Sequence, residues 1–220
     1  MNISPIFQNN NNQIIQQNVI KFINKQKDFL GGRTVSSTRA VGDAIQSILE
    51  ESFSDICGSY IKEYTSHFNR RSMADLAFTD KSDFYHSVDI KTHRLDTVFN
   101  MPNLTSVERL SRYYEGDDNY FDLLLIAYSV KDLHINVEKV YFVPIEQLSW
   151  QCLTIGALGW GQIQIANSNN IILEKSPNRK KWMINLCDTL MDFYPQEINK
   201  IGDRVSYFKK VRKYWIGKKS

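Results

Sequence analysis

Apolar and polar side chains alternate along Ala74 to Phe78 and again along Phe84 to Lys91, with a short polar stretch between the two runs. A period of two bounded by turn formers predicts two β-strands. Ala74, Leu76 and Phe78 share one face of the first strand, and Asp75 and Ala77 share the other. On the second strand Asp89 and Lys91 lie on one face, two residues apart. If the strands pair antiparallel with odd positions opposite odd positions, Asp75 comes to the side of Asp89 and Lys91. A slip of one residue would separate them.

Helical spacing appears elsewhere. Ile15, Val19, Phe22 and Ile23 predict a helix over Ile14 to Ile23, ended by Gly31-Gly32. Ile45, Ile48, Leu49 and Phe53 predict a second from about Val41 to Ile56, with Ser36, Ser37 and Thr38 as N-cap candidates. Thr105 and Glu108 predict a capping box for a helix through Tyr114, which the Glu115 to Asn119 run breaks. Tyr120 to Val130 and Val137 to Val143 read as strands, the first so continuously apolar that it belongs inside a sheet. Trp150 to Trp160 reads as irregular. Gln162, Gln164 and Asn167 alternate with Ile163 and Ile165, predicting a strand with one apolar and one amide-bearing face. Ser176-Pro177 opens a last helix packed by Trp182, Leu186, Leu190 and Phe193. No heptad and no internal repeat stands out. These elements predict one α/β domain over residues 1–220, with a mixed central β-sheet flanked by helices, a polar arm at 1–12 containing Asn9 to Asn12, and a basic tail at 209–220.

Composition agrees with a single core: 42% of the 220 residues are hydrophobic and 12% aromatic. The most apolar run, Phe121 to Val130, is interrupted by Asp122 and is far shorter than the roughly 20 residues of a membrane span. No secretory start precedes it. Cys57, Cys152 and Cys187 are odd in number and widely spaced, which predicts free thiols in a reducing, cytoplasmic compartment. With the four histidines they form no zinc pattern. The net charge is only +3, but Lys209, Lys210, Arg212, Lys213, Lys218 and Lys219 cluster around Tyr214 and Trp215, and Arg179 to Lys181 form a second group. Such clusters either track phosphates or are solvated helix faces.

The strand pair carries the candidate chemistry. Hard cations such as Mg2+ take oxygen ligands, and one or two carboxylates with substrate phosphate oxygens suffice. An adjacent lysine can orient the attacking water or offset the charge that develops on phosphorus. Phosphodiester hydrolysis needs on the order of 20 kcal/mol removed from its barrier, more than one side chain supplies. Asp89-Ile90-Lys91 is the single Asp/Glu-x-Lys triplet in the chain, and Asp75 lies on the strand before it. The same residues also fit an ordinary solvated strand pair.

Asp75 followed by Asp89-Ile90-Lys91 resembles the PD-(D/E)xK nuclease signature, with Ala74-Asp75 in place of Pro-Asp. Met73 to Leu110, including Pro102-Asn103, resembles the catalytic region of HincII-type restriction endonucleases. Gly161-Gln162-Ile163-Gln164, the Asn-rich loop and Asn178 to Trp182 resemble the Gln-Ile-Gln strand and following helix of that family. Thr38 to Gly42 leading into Leu49 to Phe53 is similar to the first helix of SwaI-type enzymes. With EcoRV-type enzymes these are the blunt cutters among the type II restriction endonucleases.

The resemblance implies a Mg2+-dependent endonuclease, with Mn2+ as a substitute, of a prokaryotic restriction-modification system. It would hydrolyse both strands of a short palindromic double-stranded DNA site and leave blunt ends with 5′-phosphates. Asp75, Asp89 and Ile90 would hold the metal, and Lys91 would position or activate water. On the helix before the hairpin Asp43 and Gln46 are the candidates for an added ligand, since Gln46 stands where related enzymes can carry Glu. Asn100, Met101, Asn103, Gln162, Gln164 and Asn167 become DNA-contact candidates, and the five amides among them can each bond a base edge at two points. The bland reading of the asparagines is turn formation. A palindrome read by one kind of chain implies a two-fold homodimer. Two alternatives stay open: a repair or structure-specific nuclease of the same fold, and a catalytically silent DNA-binding protein.

Overall fold

The computed structural model of the protein describes residues 3–26, 31, 34, 36–66, 73–131 and 134–218. Its central sheet has the order β1 (Ile61–Thr65), β2 (Leu76–Asp80), β3 (Tyr85–Arg94), β5 (Asn119–Lys131), β6 (His134–Pro144). Only β3 and β5 run parallel; the other neighbours are antiparallel, so the sheet is mixed as the pattern requires. A second antiparallel sheet joins β4 (Asn103–Ser106), β8 (Gln162–Ile165) and β7 (Leu153–Gly156).

Alternation along β5 separates two cores. Leu124, Ile126 and Tyr128 pack with α1 (Asn11–Lys25) and α2 (Thr38–Cys57), where Ile15, Val19, Ile45, Leu49 and Phe53 are fully buried. Phe121, Leu123 and Leu125 face the other way, onto Ile163 and Ile165 of the second sheet, Val107 and Leu110 of α3 (Val107–Tyr113), and Trp182 and Leu186 of α4 (Arg179–Ile216). The result is helices, sheet, then a mixed layer. On β3, Val88 and Ile90 belong to the first core, which directs Asp89 and Lys91 toward the second layer.

Several local expectations change. Residues 3–12 are a packed lead-in rather than a loose polar arm: Ser4 and Ile6 are fully buried, and α1 already starts at Asn11. That helix ends at Lys25, before the Gly31-Gly32 pair, and Gly32 and Lys219 lie outside the described residues. Ser37 is the N-cap of α2, accepting from the Ala40 N–H at 3.3 Å. Thr105 lies in β4, so the capping box does not form and Ser106 takes the N-cap position of α3. Strand β1 has a broken apolar pattern and went unpredicted, as did β7 inside the stretch read as irregular. The last helix starts at Arg179, capped by the Asn178 side chain on the Lys181 N–H (2.9 Å), not by Ser176-Pro177. Cys57 and Cys152 are buried, Cys187 is exposed, and all three are free thiols. No helix among the described residues is long and apolar enough to cross a membrane.

Ser4 closes a polar cluster beneath the sheet. Its hydroxyl donates to Asp80 Oδ2 (2.6 Å) and sits 3.2 Å from His86 Nε2, while His86 Nδ1 lies 2.6 Å from Asp122 Oδ2. The imidazole is stacked between Phe78 and Tyr120, with centroids 4.5 and 5.1 Å away. Burial alone would depress the His86 pKa, but the Asp122 and Asp80 carboxylates outweigh it and the pKa rises. A serine, a histidine and an aspartate in hydrogen-bond contact could suggest a hydrolase triad. His86 has no exposed surface, however, so the cluster ties the N-terminal residues to the sheet instead.

Helix α4 runs for 38 residues, and only Arg179, Trp182 and Leu186 on it are buried. Beyond Tyr194 it leaves the body and carries the basic tail as exposed helix, with Ile198, Ile201, Val205, Phe208 and Trp215 uncovered and Met191 exposed at its base. Ile198, Ile201, Val205 and Phe208 are spaced by three, four and three, and Met191 and Trp215 lie seven residues outside them with Tyr194 and Arg212 at the steps between, a heptad stripe that charged and aromatic neighbours conceal in the bare sequence.

Phe53 lies between Phe78 (6.1 Å) and Phe142 (5.7 Å) with no exposed surface, so Phe53→Ala should cost about 3–5 kcal/mol in chemical denaturation. A loss below about 1 kcal/mol would mean that α2 does not pack on the sheet as described.

Candidate active site

The pairing of β2 with β3 sets the site. Leu76 lies opposite Val88 and Ala77 opposite Ser87, and the Asp75 N–H extends the pairing by donating to the Val88 carbonyl at 2.9 Å. Odd positions therefore face odd positions along the ladder, and Asp75, one residue before it, straddles Val88 and Ile90 and so stands beside Asp89. Beyond Leu76 strand β2 has ended, and the Asp75 carboxylate replaces it: Oδ2 accepts the Ile90 N–H at 2.7 Å. The N–H and C=O of one strand residue point to the same edge, so the Ile90 carbonyl is directed to that edge as well.

Lys91 Nζ donates to Asp89 Oδ1 at 2.5 Å, while Asp89 Oδ2 is buried with no hydrogen-bond partner. A buried carboxylate oxygen without a donor is costly. Burial, opposed by Lys91 and assisted by the Asp75 charge, pushes the Asp89 carboxyl up to about 7. No group of three or more His, Cys, Asp or Glu side chains among the described residues is arranged to hold a metal. Two carboxylates and the Ile90 carbonyl nevertheless fit a hard cation that completes its shell with water and phosphate oxygens, and the orphaned Asp89 Oδ2 is the atom such a cation would satisfy.

Helix α2 reaches the same point through Gln46, whose Nε2 donates to Asp75 Oδ1 (3.0 Å) and to Glu50 Oε1 (2.7 Å). Gln46 thus orients Asp75 by hydrogen bonding, a role a neutral amide fills without adding charge. Gly42 makes the approach possible, since a Cβ there would lie 2.7 Å from the Thr92 hydroxyl on β3. Asp43 is exposed, pairs loosely with Arg39 at 3.9 Å, and lines the rim of the adjoining cleft.

That cleft, about 540 Å³, joins Gln46, Ile90 and Lys91 to Phe99, Asn100 and Pro102. Its far wall is built by hydrogen bonds across the second sheet. The Ser168 N–H donates to the Asn100 carbonyl (2.8 Å), and the Ile165 N–H to the Pro102 carbonyl (3.2 Å). Asn103 and Gln164 are paired in register and bonded to each other through their amides, Gln162 is half-buried opposite Ser106, and Met101 is exposed. Asn167 accepts the Asn169 N–H through its side chain, which makes it at least a turn former. Asn169 was missed by the sequence reading: it contacts His93 Nε2 at 2.8 Å and donates to the Thr97 and Val98 carbonyls, both 3.1 Å, so it fixes the loop that ends β3. Its only sequence signal is the asparagine run itself.

The Arg179 to Lys181 cluster divides. Arg179 is buried, bonded to Glu146 (2.9 Å) and stacked on Tyr114 and Tyr120 at 4.3 and 4.5 Å, and so it is not a phosphate contact. Lys180 and Lys181 remain exposed.

The raised Asp89 pKa has a sign. A carboxyl whose folded value lies above its unfolded value adds stability below about pH 4, and that contribution is lost as pH rises through about 7. Metal-free protein should therefore lose stability between those limits, Mg2+ should restore it near pH 8, and Asp89→Asn should flatten both responses. Urea denaturation across pH, with and without Mg2+, reads this; an unchanged pH slope in the variant would refute it.

No protein-family model matches the chain, and no curated protein does. Among solved structures, the chain is similar to the NlaIV restriction endonuclease at 14% identity and a TM-score of 0.41, over 64% of this chain. The matched region spans 59% of that structure's own length.

Proposed function

We propose that the protein is a metal-dependent DNA endonuclease, a type II restriction enzyme that cuts both strands of a short palindromic site. The carrying observation is the juxtaposition of Asp75, Asp89 and Lys91 at the point where β2 ends, opening into a cleft whose other wall holds Asn100. Asp75, Asp89 and the Ile90 carbonyl would hold Mg2+, or Mn2+ in its place. When bound, the cation polarises the scissile phosphate and lowers the pKa of water.

The chain's own groups supply the rest. Gln46 holds Asp75 toward β3. Lys91, whose ammonium already lies against Asp89, stabilises the negative charge that grows on the phosphate oxygens and orients the attacking water. Asn100, Met101, Asn103, Gln162, Gln164 and Asn167 would read or deform the DNA, with Asn103 and Gln164 acting as a bonded pair. Blunt ends with 5′-phosphates follow from the likeness of Met73 to Leu110 to the HincII-type region.

Lys91→Ala should reduce cleavage at least several hundredfold, the scale of one preorganised electrostatic group, while DNA binding with Ca2+ persists. Equal cleavage by variant and wild type would remove Lys91 from the mechanism. In a second comparison, Asn103→Ala should weaken cleavage at the preferred site and leave Mg2+ stabilisation of the fold intact; an unchanged site preference would contradict the reading role.

A further inference from the structure

We infer that the exposed half of α4 is a pairing arm that joins two copies of this chain antiparallel. A pair of chains is already what a palindromic site implies; the surface that joins them and its direction go beyond that reading and are argued from the helix alone. From Met191 to Trp215 the stripe spans 25 positions, about 37 Å of helix at 1.5 Å per residue. It holds more than three heptads, the length at which a/d spacing becomes a coiled-coil signal. Ile198, Ile201, Val205 and Phe208 fill consecutive seam positions, and each is about half exposed or more. A shallow groove of about 420 Å³ runs over Ile201, Val205 and Phe208, walled by Arg204, Lys209 and Arg212.

Charge decides both the occupant and its direction. Between Asp188 and Asp203 the helix carries Asp188, Asp192, Glu197 and Asp203 against Lys200 alone. From Arg204 to Ile216 it carries Arg204, Lys209, Lys210, Arg212 and Lys213 and no carboxylate. A parallel pair would set these five cations beside the same five. An antiparallel pair sets the cationic half of each helix beside the acidic half of the other. The spacing is symmetric about residue 203, and Pro195, which lacks an N–H for the helix ladder, falls outside the Ile198–Phe208 centre of the seam. Ile198 then meets Phe208 of the second copy, Ile201 meets Val205, Met191 meets Trp215, and Tyr194 meets Arg212, whose guanidinium can lie on the ring. In the single chain the Tyr194 hydroxyl is bonded to the Trp160 carbonyl (2.7 Å), which anchors the base of the arm to the body.

The test is sedimentation of the full chain without DNA or metal. The account expects a particle of twice the 25.7 kDa chain mass, and loss of the dimer in Ile201→Asp/Val205→Asp with the near-UV spectrum of the body retained. Direction is read in a Cys187→Ser background with the mild substitutions Ile201→Cys and Val205→Cys, which keep the test sound even if the aspartates unfold the arm. Mixing the two single variants under oxidation should give the 201–205 disulfide, with little from either alone. A wild-type monomer would overturn the proposal, and a monomer whose DNA binding falls on Lys209→Ala/Arg212→Ala would make the arm a nucleic-acid contact instead. Ready disulfides from each variant alone would overturn the antiparallel direction. None of these readouts involves cleavage, so they stand or fall apart from the nuclease reading.

Discussion

Everything proposed for the site depends on the place where β2 stops and Asp75 continues its pairing with β3. The main-chain N–H of Asp75 extends the ladder at Val88, and its carboxylate then takes the Ile90 N–H that a longer strand would have bonded. One residue thereby ends a strand, satisfies an edge donor and brings a second carboxylate to Asp89. The register leaves little freedom: a one-residue slip would turn Leu76 and Phe78 out of a core in which they are almost completely buried. Core burial therefore holds the geometry of the candidate site in place.

The cost of that geometry is concentrated at Asp89. Its side chain is buried, one oxygen is held by Lys91 and the other has no donor, so the charged form is disfavoured without a cation. Asp80 and Asp122 are buried too, yet they share His86, Ser4 and main-chain donors, and that cluster serves the fold. Asp122 also keeps one oxygen without a donor, so the two groups differ in position and not in satisfaction: Asp122 is sealed against His86 inside the fold, whereas Asp89 lies beside Asp75 and Lys91 next to the cleft.

Sequence alone was most informative where burial is one-sided and the period is clean. The β2–β3 hairpin, the Gln-Ile-Gln strand and α2 were legible because their apolar positions repeat at two or 3.6 residues, and β5 because its run is almost continuously apolar. Strand β1 was not, since its exposed edge has no alternation to read. Gln46 could be named as a candidate from its helix position, but its bond to Asp75 depends on how closely Gly42 lets α2 approach β3. The role of Asn169 depends on three partners more than seventy residues away in sequence, beyond any local pattern. The α4 stripe was present in the letters; what drew notice there was charge, and only exposure on a continuous helix shows the apolar seam unpartnered.

The most direct test of the central claim is to incubate the purified protein with a long DNA of known sequence, with and without Mg2+, and to sequence the fragment ends. The account predicts discrete fragments only with the metal, all ending at one short symmetric sequence with 5′-phosphates. Intact DNA under both conditions would contradict assignment of Asp75, Asp89 and Lys91 as a hydrolytic centre, and a metal-dependent smear would keep that centre but contradict site-specific reading by the cleft wall.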